Sequence, residues 1–170
     1  DKLLAGSLVR AVDYIHAQRQ RRLIAMAVDD LVRGYDAVVT YGSVGSNHAL
    51  ATAVFATRLG LQSHAVLVDQ PPSPAVAKKL RWLLQLGAVV HAAKGFADAH
   101  RVFAEIRDRH PGGPGRVCDI PWGGSNWRGA VGFVAAALEL ARQVEAGGQP
   151  APDYLYVSGG TLGTATGLAL

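Results

Sequence analysis

Residues 36–61 read DAVVTYGSVGSNHALATAVFATRLGL, and a change of pattern inside this stretch decides the fold. The first six residues form a short β-branched apolar run, the signature of a strand buried on both faces. An alanine-rich segment with helical spacing follows from residue 49. Between them lie Gly42, Ser43, Val44, Gly45, Ser46, Asn47 and His48, which offer a bare backbone, two hydroxyls, an amide and an imidazole at the mouth of a helix. Glycines there let a ligand approach the backbone, and Ser46 and Asn47 stand where N-caps stand. The first turn of a helix also presents unpaired N–H groups to an anion.

The same alternation continues outward. Four more short apolar runs, SHAVLVD (63–69), GAVVHAA (87–93), GRVCDI (115–120) and DYLYVS (153–158), are predicted strands. Helical patterns separate them. Phe96, Ala99, Phe103 and Ile106 share one helix face, Val131, Val134, Leu138 and Ala141 share another, and PAVAKKLRWLLQL (74–86) is a third helix. RHPGGPGR (109–116) is a surface turn and IPWGGSNWRG (120–129) a crossover loop between two lobes. The expected fold is α/β, a parallel sheet with helices on both faces, with ligands bound beyond the carboxyl ends of the strands.

Composition narrows the function classes. The 170 residues are 49% hydrophobic and 18% charged, which is globular and enough for one domain and part of a second. A net charge of +4, with arginines scattered except at Arg19, Arg21 and Arg22, argues against nucleic acid. No apolar run reaches the roughly 18–20 residues of a membrane span. The lone Cys118 excludes an internal disulfide, fits a reducing cytoplasm and reads as a small core hydrophobe. The six histidines (16, 48, 64, 91, 100 and 110) show no metal-ligand spacing, so no metal site is expected. The chain opens at Asp1 without a methionine and closes on TATGLAL, the first turns of a helix. It is therefore expected to be part of a longer protein.

A second unusual junction follows DYLYVS. Gly159, Gly160, Thr161, Leu162, Gly163 and Thr164 combine backbone amides and two hydroxyls ahead of a helix, the chemistry of a phosphate cradle. Neither a Walker loop nor Gly-x-Gly-x-x-Gly is matched.

Taken together, GSVGSNHALATAVFATRLGL, IPWGGSNWRGAVGFVAAALEL and VSGGTLGTATGL resemble, in order and spacing, the tryptophan-synthase-β-like (fold type II) pyridoxal-phosphate enzymes, in the branch of 1-aminocyclopropane-1-carboxylate deaminase and D-cysteine desulfhydrase. The likeness runs from about Gln18 onward. It implies an N-terminal segment of a large lobe (1–21), a small α/β domain (22–122) and an incomplete cofactor-binding lobe (123–170). Asn47 would hydrogen-bond the cofactor's phenolic oxygen. Ser46 and the backbone around Asn47 and His48 would receive a substrate carboxylate. Gly160, Thr161, Leu162, Gly163 and Thr164 would hold the phosphate. Gly124 and Ser125, with Gly123, would lie at the hinge near the substrate. The implied partners are a small amino-acid-like ligand and a second copy in a full-length homodimer.

One position departs from the resemblance. The family's Asn-Lys-x-Arg-Lys-Leu motif falls on Gln18-Arg19-Gln20-Arg21-Arg22-Leu23, so Arg19 stands where a lysine forms the Schiff base with the cofactor. A guanidinium stays protonated, with a pKa above about 12, and cannot attack an aldehyde. Lys94, at the end of a predicted strand, is the remaining lysine that could face the cleft. Gly45 also stands where the family usually has glutamine. The reading is a pyridoxal-phosphate deaminase or lyase with an impaired catalytic site at Ser46 and Arg19, its cofactor held without a covalent bond or not at all. Two alternatives stand beside it: a non-catalytic homologue that binds an anion, regulates or partners, and a dinucleotide-binding Rossmann protein.

Overall fold

In the computed structural model, strand β1 (Ala37–Ser43) is the hub on which the other elements are ordered. Helix α1 (Asn47–Arg58) leads to β2 (Gln62–Val68), α2 (Pro74–Gln85), β3 (Val89–Ala93) and α3 (Phe96–Asp108). A 3-10 turn (Pro114–Arg116) enters β4 (Val117–Ile120). A second (Trp122–Gly124) leaves it towards α4 (Trp127–Glu145) and α5 (Gly163–Ala169). Residues 33–169 are described, and those from Asp36 on form one unit. Arg19 and the whole 1–21 segment lie outside the described residues.

The four strands run parallel in the order β3-β2-β1-β4, in the α/β arrangement expected. Both faces of the sheet are covered, which is why its strands read as apolar runs without polar alternation. Ala37, Val39 and Tyr41 of β1 pack with Val66, Val117, Ala99 and Val102 under α3. On the opposite face Ala65 and Leu67 pack with Ala49 and Ala53 of α1 and Leu83 of α2. Small alanines bring α1 close to the sheet, so its first turn stands directly over the carboxyl end of β1.

Tyr41 anchors the α3 face. Its ring stacks on Trp122 at 5.6 Å and 19° and meets Phe103 edge-on at 6.2 Å. Burial drives its phenol well above the usual range, and the nearby Asp119 carboxylate adds to this. The Tyr41 hydroxyl and the Trp122 indole N–H are both buried without a hydrogen-bond partner among the described residues.

One expected strand is absent. Residues 153–158 form no strand and pair with none of the described strands, and Tyr154, Leu155, Tyr156 and Val157 are exposed. A strand exists only through a neighbour about 4.8 Å away, and apolar side chains alone do not supply one. Helix α4 likewise has no fully buried residue, although α5 crosses it closely at Gly167. A Cβ on Gly167 would stand 2.6 Å from that of Phe133 and 2.8 Å from the Ala130 carbonyl.

Candidate functional site

The junction after β1 is shaped by what its glycines exclude. A Cβ on Gly42 would lie 2.6 Å from the Ser46 side chain, so only glycine lets Ser46 fold back over the strand end. The Val44 N–H donates to the Val68 carbonyl at 3.1 Å, and the Ser46 N–H to the Ser43 carbonyl at 2.9 Å. Ser46 then caps α1, its Oγ accepting from the Ala49 N–H at 3.1 Å. That bond uses an oxygen lone pair and leaves the hydroxyl proton free to donate. Asn47 is exposed, and its carboxamide has no partner among the described residues. The Ser46 O–H and the first-turn amides of Asn47 and His48 are therefore donors aimed off the helix start, as an anion requires.

The His48 imidazole turns the other way. Its Nε2 lies 2.8 Å from Thr40 Oγ1, and Thr40 donates its single proton to the Ile120 carbonyl at 3.0 Å. Thr40 must then accept, so the proton of the neutral imidazole sits on Nε2. Burial lowers the His48 pKa, and the Pro121 carbonyl opposes this in part. The other edge of the ring packs on Gly124. A Cβ there would stand 3.3 Å from His48 Cε1, and the backbone of Gly124 is left-handed at φ 65°.

The loop after β4 interlocks with the glycine–threonine loop before α5. Gly123 is also left-handed at φ 63°, and a Cβ on it would meet Thr161 Oγ1 at 2.5 Å. The hydroxyls of Ser125 and Thr161 hydrogen-bond to each other. A Cβ on Gly163 would run into Ser125 Oγ at 2.6 Å. Between the two loops lies a cavity of about 180 Å³, reached by Gly124, Ser125, Gly160, Thr161, Gly163 and Thr164. Leu162 holds a left-handed backbone at φ 63° with its side chain 59% exposed, an arrangement that turns the chain into α5.

Three segments far apart in sequence thus meet at one edge of the sheet. Ser46, Asn47 and His48 adjoin Gly124 through the His48 ring, and Gly124 and Ser125 adjoin Thr161 and Gly163. Arg19 falls outside the described residues. Lys94 follows the edge strand β3, two strand spacings or about 10 Å from β1, and its amide is taken by Asp98 at 2.9 Å. Sequence reasoning missed Thr40, which fixes the His48 ring, and Gln70 and Lys79, which both hydrogen-bond to Gly45. Among the described residues no group of three or more His, Cys, Asp or Glu converges as metal ligands, and no helix is long and apolar enough to cross a membrane. The half-buried Cys118 thiol is pushed up by burial and by Asp119, which suppresses the thiolate a nucleophile needs.

A parallel α/β sheet with small-residue loops at its carboxyl edge, one rich in anion donors and one shaped as a cradle, defines a class of cofactor-binding protein. The comparisons give the family: residues 11–170 match the model of the pyridoxal-phosphate dependent enzymes, and the chain belongs to that family. It is 37% identical over 155 residues to D-cysteine desulfhydrase of Yersinia pestis (strain Pestoides F), covering 88% of this chain and 46% of that protein. It is 35% identical over 154 residues to D-cysteine desulfhydrase of Serratia proteamaculans (strain 568), with the same coverage. Among solved structures it is similar to a 1-aminocyclopropane-1-carboxylate deaminase homologue, with a TM-score of 0.67 and 28% identity over 82% of this chain and 42% of the other. The chain spans about half the length of the curated relatives it matches.

The residues present fit the family's cofactor. Gly160 and Gly163 both line the cavity between the loops; a Cβ on Gly160 would stand in open space, and one on Gly163 would strike Ser125 Oγ at 2.6 Å. Thr161, Thr164 and the backbone amides of the loop are neutral donors of the kind a dianion would require. The Asn47 carboxamide, free among the described residues, is a directional donor of the kind a ring hydroxyl needs.

Proposed function

We propose that this chain carries the cofactor- and carboxylate-binding loops of a pyridoxal-phosphate deaminase or desulfhydrase that acts on a small amino acid, and that Arg19 leaves its catalysis impaired. The observation that carries the reading is the interlocking of the Ser46–Asn47 junction, the Gly124–Ser125 hinge and the Gly160–Thr164 cradle at one sheet edge. Gly160, Thr161, Leu162, Gly163 and Thr164 hold the phosphate through their amides and hydroxyls. Asn47 orients the ring. The Ser46 hydroxyl proton and the Asn47 and His48 amides bind the substrate carboxylate, with Gly124 and Ser125 closing over it from the hinge. When bound, the cofactor supplies a conjugated ring that draws electron density from the bonds at an amino acid's α-carbon.

In this reading 1–21 and 123–170 belong to a large lobe, 22–122 to a small one, and the whole protein is a cytoplasmic homodimer. The guanidinium of Arg19 cannot form the covalent tether or accept the substrate proton as a lysine amine does, and proton transfer of that kind is worth about two to four orders of magnitude in rate. The second reading, a non-catalytic anion-binding homologue, is favoured by the same position, because a guanidinium fork suits a phosphate or carboxylate.

Borohydride trapping tests the proposal. Pyridoxal phosphate is expected to bind saturably to the wild-type chain by fluorescence, yet to leave no cofactor mass on the protein after reduction and dialysis. Arg19→Lys is expected to gain a reduction-stable adduct. An adduct on any lysine of the wild-type chain would overturn the impairment, and absence of binding would overturn the cradle.

A further inference from the structure

Gly45 is buried, and both of its polar backbone groups are held by side chains from the next strand–helix unit of the fold. Its N–H donates to Gln70 Oε1 at 3.1 Å, and its carbonyl accepts from Lys79 Nζ at 3.0 Å. A Cβ on Gly45 would lie 2.9 Å from Val76 Cγ2, 3.0 Å from Gln70 Oε1 and 3.2 Å from Gln70 Nε2. The Gln70 carboxamide therefore occupies the space in which a side chain on residue 45 would stand. Val76 and Lys79 are one helical turn apart on α2, whose start is fixed by the Ser73 cap at 3.2 Å, so a rigid helix face presents both to the junction.

We infer that Gln70 and Lys79 are positioning residues for the carboxylate site of the Ser46–Asn47 junction, Gln70 holding the peptide before Gly45 and Lys79 the peptide after it, with a cation placed beside the junction. This rests on the reading of that junction as a carboxylate site. The clamp fixes the peptide that leads directly into the Ser46 cap, and so sets where the Asn47 and His48 amides point. The Lys79 ammonium adds positive charge to the N-terminal end of α1, whose first turn carries no acidic side chain to cancel it. The ligand class this favours is a small amino acid recognised through its carboxylate, with neutral and cationic analogues lacking that group excluded.

The test uses the ¹⁵N-labelled chain, with glycine as the carboxylate probe and inorganic phosphate as the probe of the second loop. Glycine is expected to shift the Asn47 and His48 amides, and phosphate those of Gly160 and Gly163. Lys79→Met and Gln70→Ala are expected to weaken glycine binding about fivefold or more and to leave the phosphate affinity unchanged. Lys79→Arg is expected to restore it, which a role in packing alone would not require. If glycine binds both variants as tightly as wild type, the clamp is overturned and the carboxylate site stands. If glycine never moves the Asn47 and His48 amides in the wild type, the carboxylate reading falls and takes the clamp with it. Equal loss of phosphate and glycine binding would mean general disruption and would also overturn the proposal. Gln70→Ala probes the same clamp from the loop side should Lys79→Met fail to fold.

Discussion

Thr40 and His48 are joined across the start of the site: the threonine hydroxyl accepts from His48 Nε2 at 2.8 Å while donating to the Ile120 carbonyl at 3.0 Å. A side chain that would otherwise point at the ligand is instead a strut from β1 and β4 to the Gly124 hinge. Thr40 is fully buried, so Thr40→Val removes both bonds at nearly constant volume and strands a half-buried imidazole N–H. The expected cost is about 1–3 kcal/mol in denaturant unfolding. The His48 ¹⁵N shifts are expected to show the Nε2–H tautomer in wild type and a mixture in the variant. An unchanged tautomer would contradict the strut.

With His48, whose pKa burial also lowers, adding in the same direction, the pH dependence of stability is expected to come mostly from His64 and His91. Their nitrogens lie 3.0 Å apart, and the centroid separation of 5.3 Å at 21° is that of two rings joined edge to edge by one N–H···N bond, not stacked face to face. Burial lowers both pKa values, most for His64, which the charges of His91 and His110 push further to about 4. The folded state therefore binds fewer protons than the unfolded state between about pH 4 and 6.5. Stability is complete above the unfolded value and is lost as pH falls through that window. With both residues partly exposed the loss is no more than about 2 kcal/mol. Urea midpoints from pH 7 to 4 check it, and His64→Gln is expected to flatten the slope. A midpoint that rises on acidification would contradict it.

Gly129→Ala is expected to open the cradle. The added methyl would stand 1.9 Å from the Gly124 carbonyl, a backbone atom that cannot swing aside as a side chain can. The 121–126 loop must shift, at a cost of about 1–3 kcal/mol. Its contacts with Thr161 and Gly163 are lost with it. Phosphate affinity is expected to fall more than glycine affinity. Equal affinities for both probes in variant and wild type would refute the interlock.

The strands around Val39, Val66 and Val117 were legible because a parallel sheet buried on both faces leaves short β-branched runs between breakers. The Ser46 cap and the glycine–threonine turn were legible for a related reason, since helix starts and close backbone approaches demand particular residue types locally. The segment 153–158 misled because its composition fits a strand while a ladder needs a neighbour. The grip on Gly45 was invisible because Gln70 and Lys79 lie 25 and 34 residues away, and nothing in their own surroundings marks them. His48 was legible as a member of the loop but not in its orientation, which Thr40 decides from the strand below.

The central claim is that loops distant in sequence form one site, and a single titration tests it. Adding pyridoxal phosphate to the ¹⁵N-labelled chain is expected to shift the amides of Asn47 and of Gly160, Gly163 and Thr164 along curves with one shared Kd. Shifts confined to one loop, or two separate Kd values for the two loops, would contradict it.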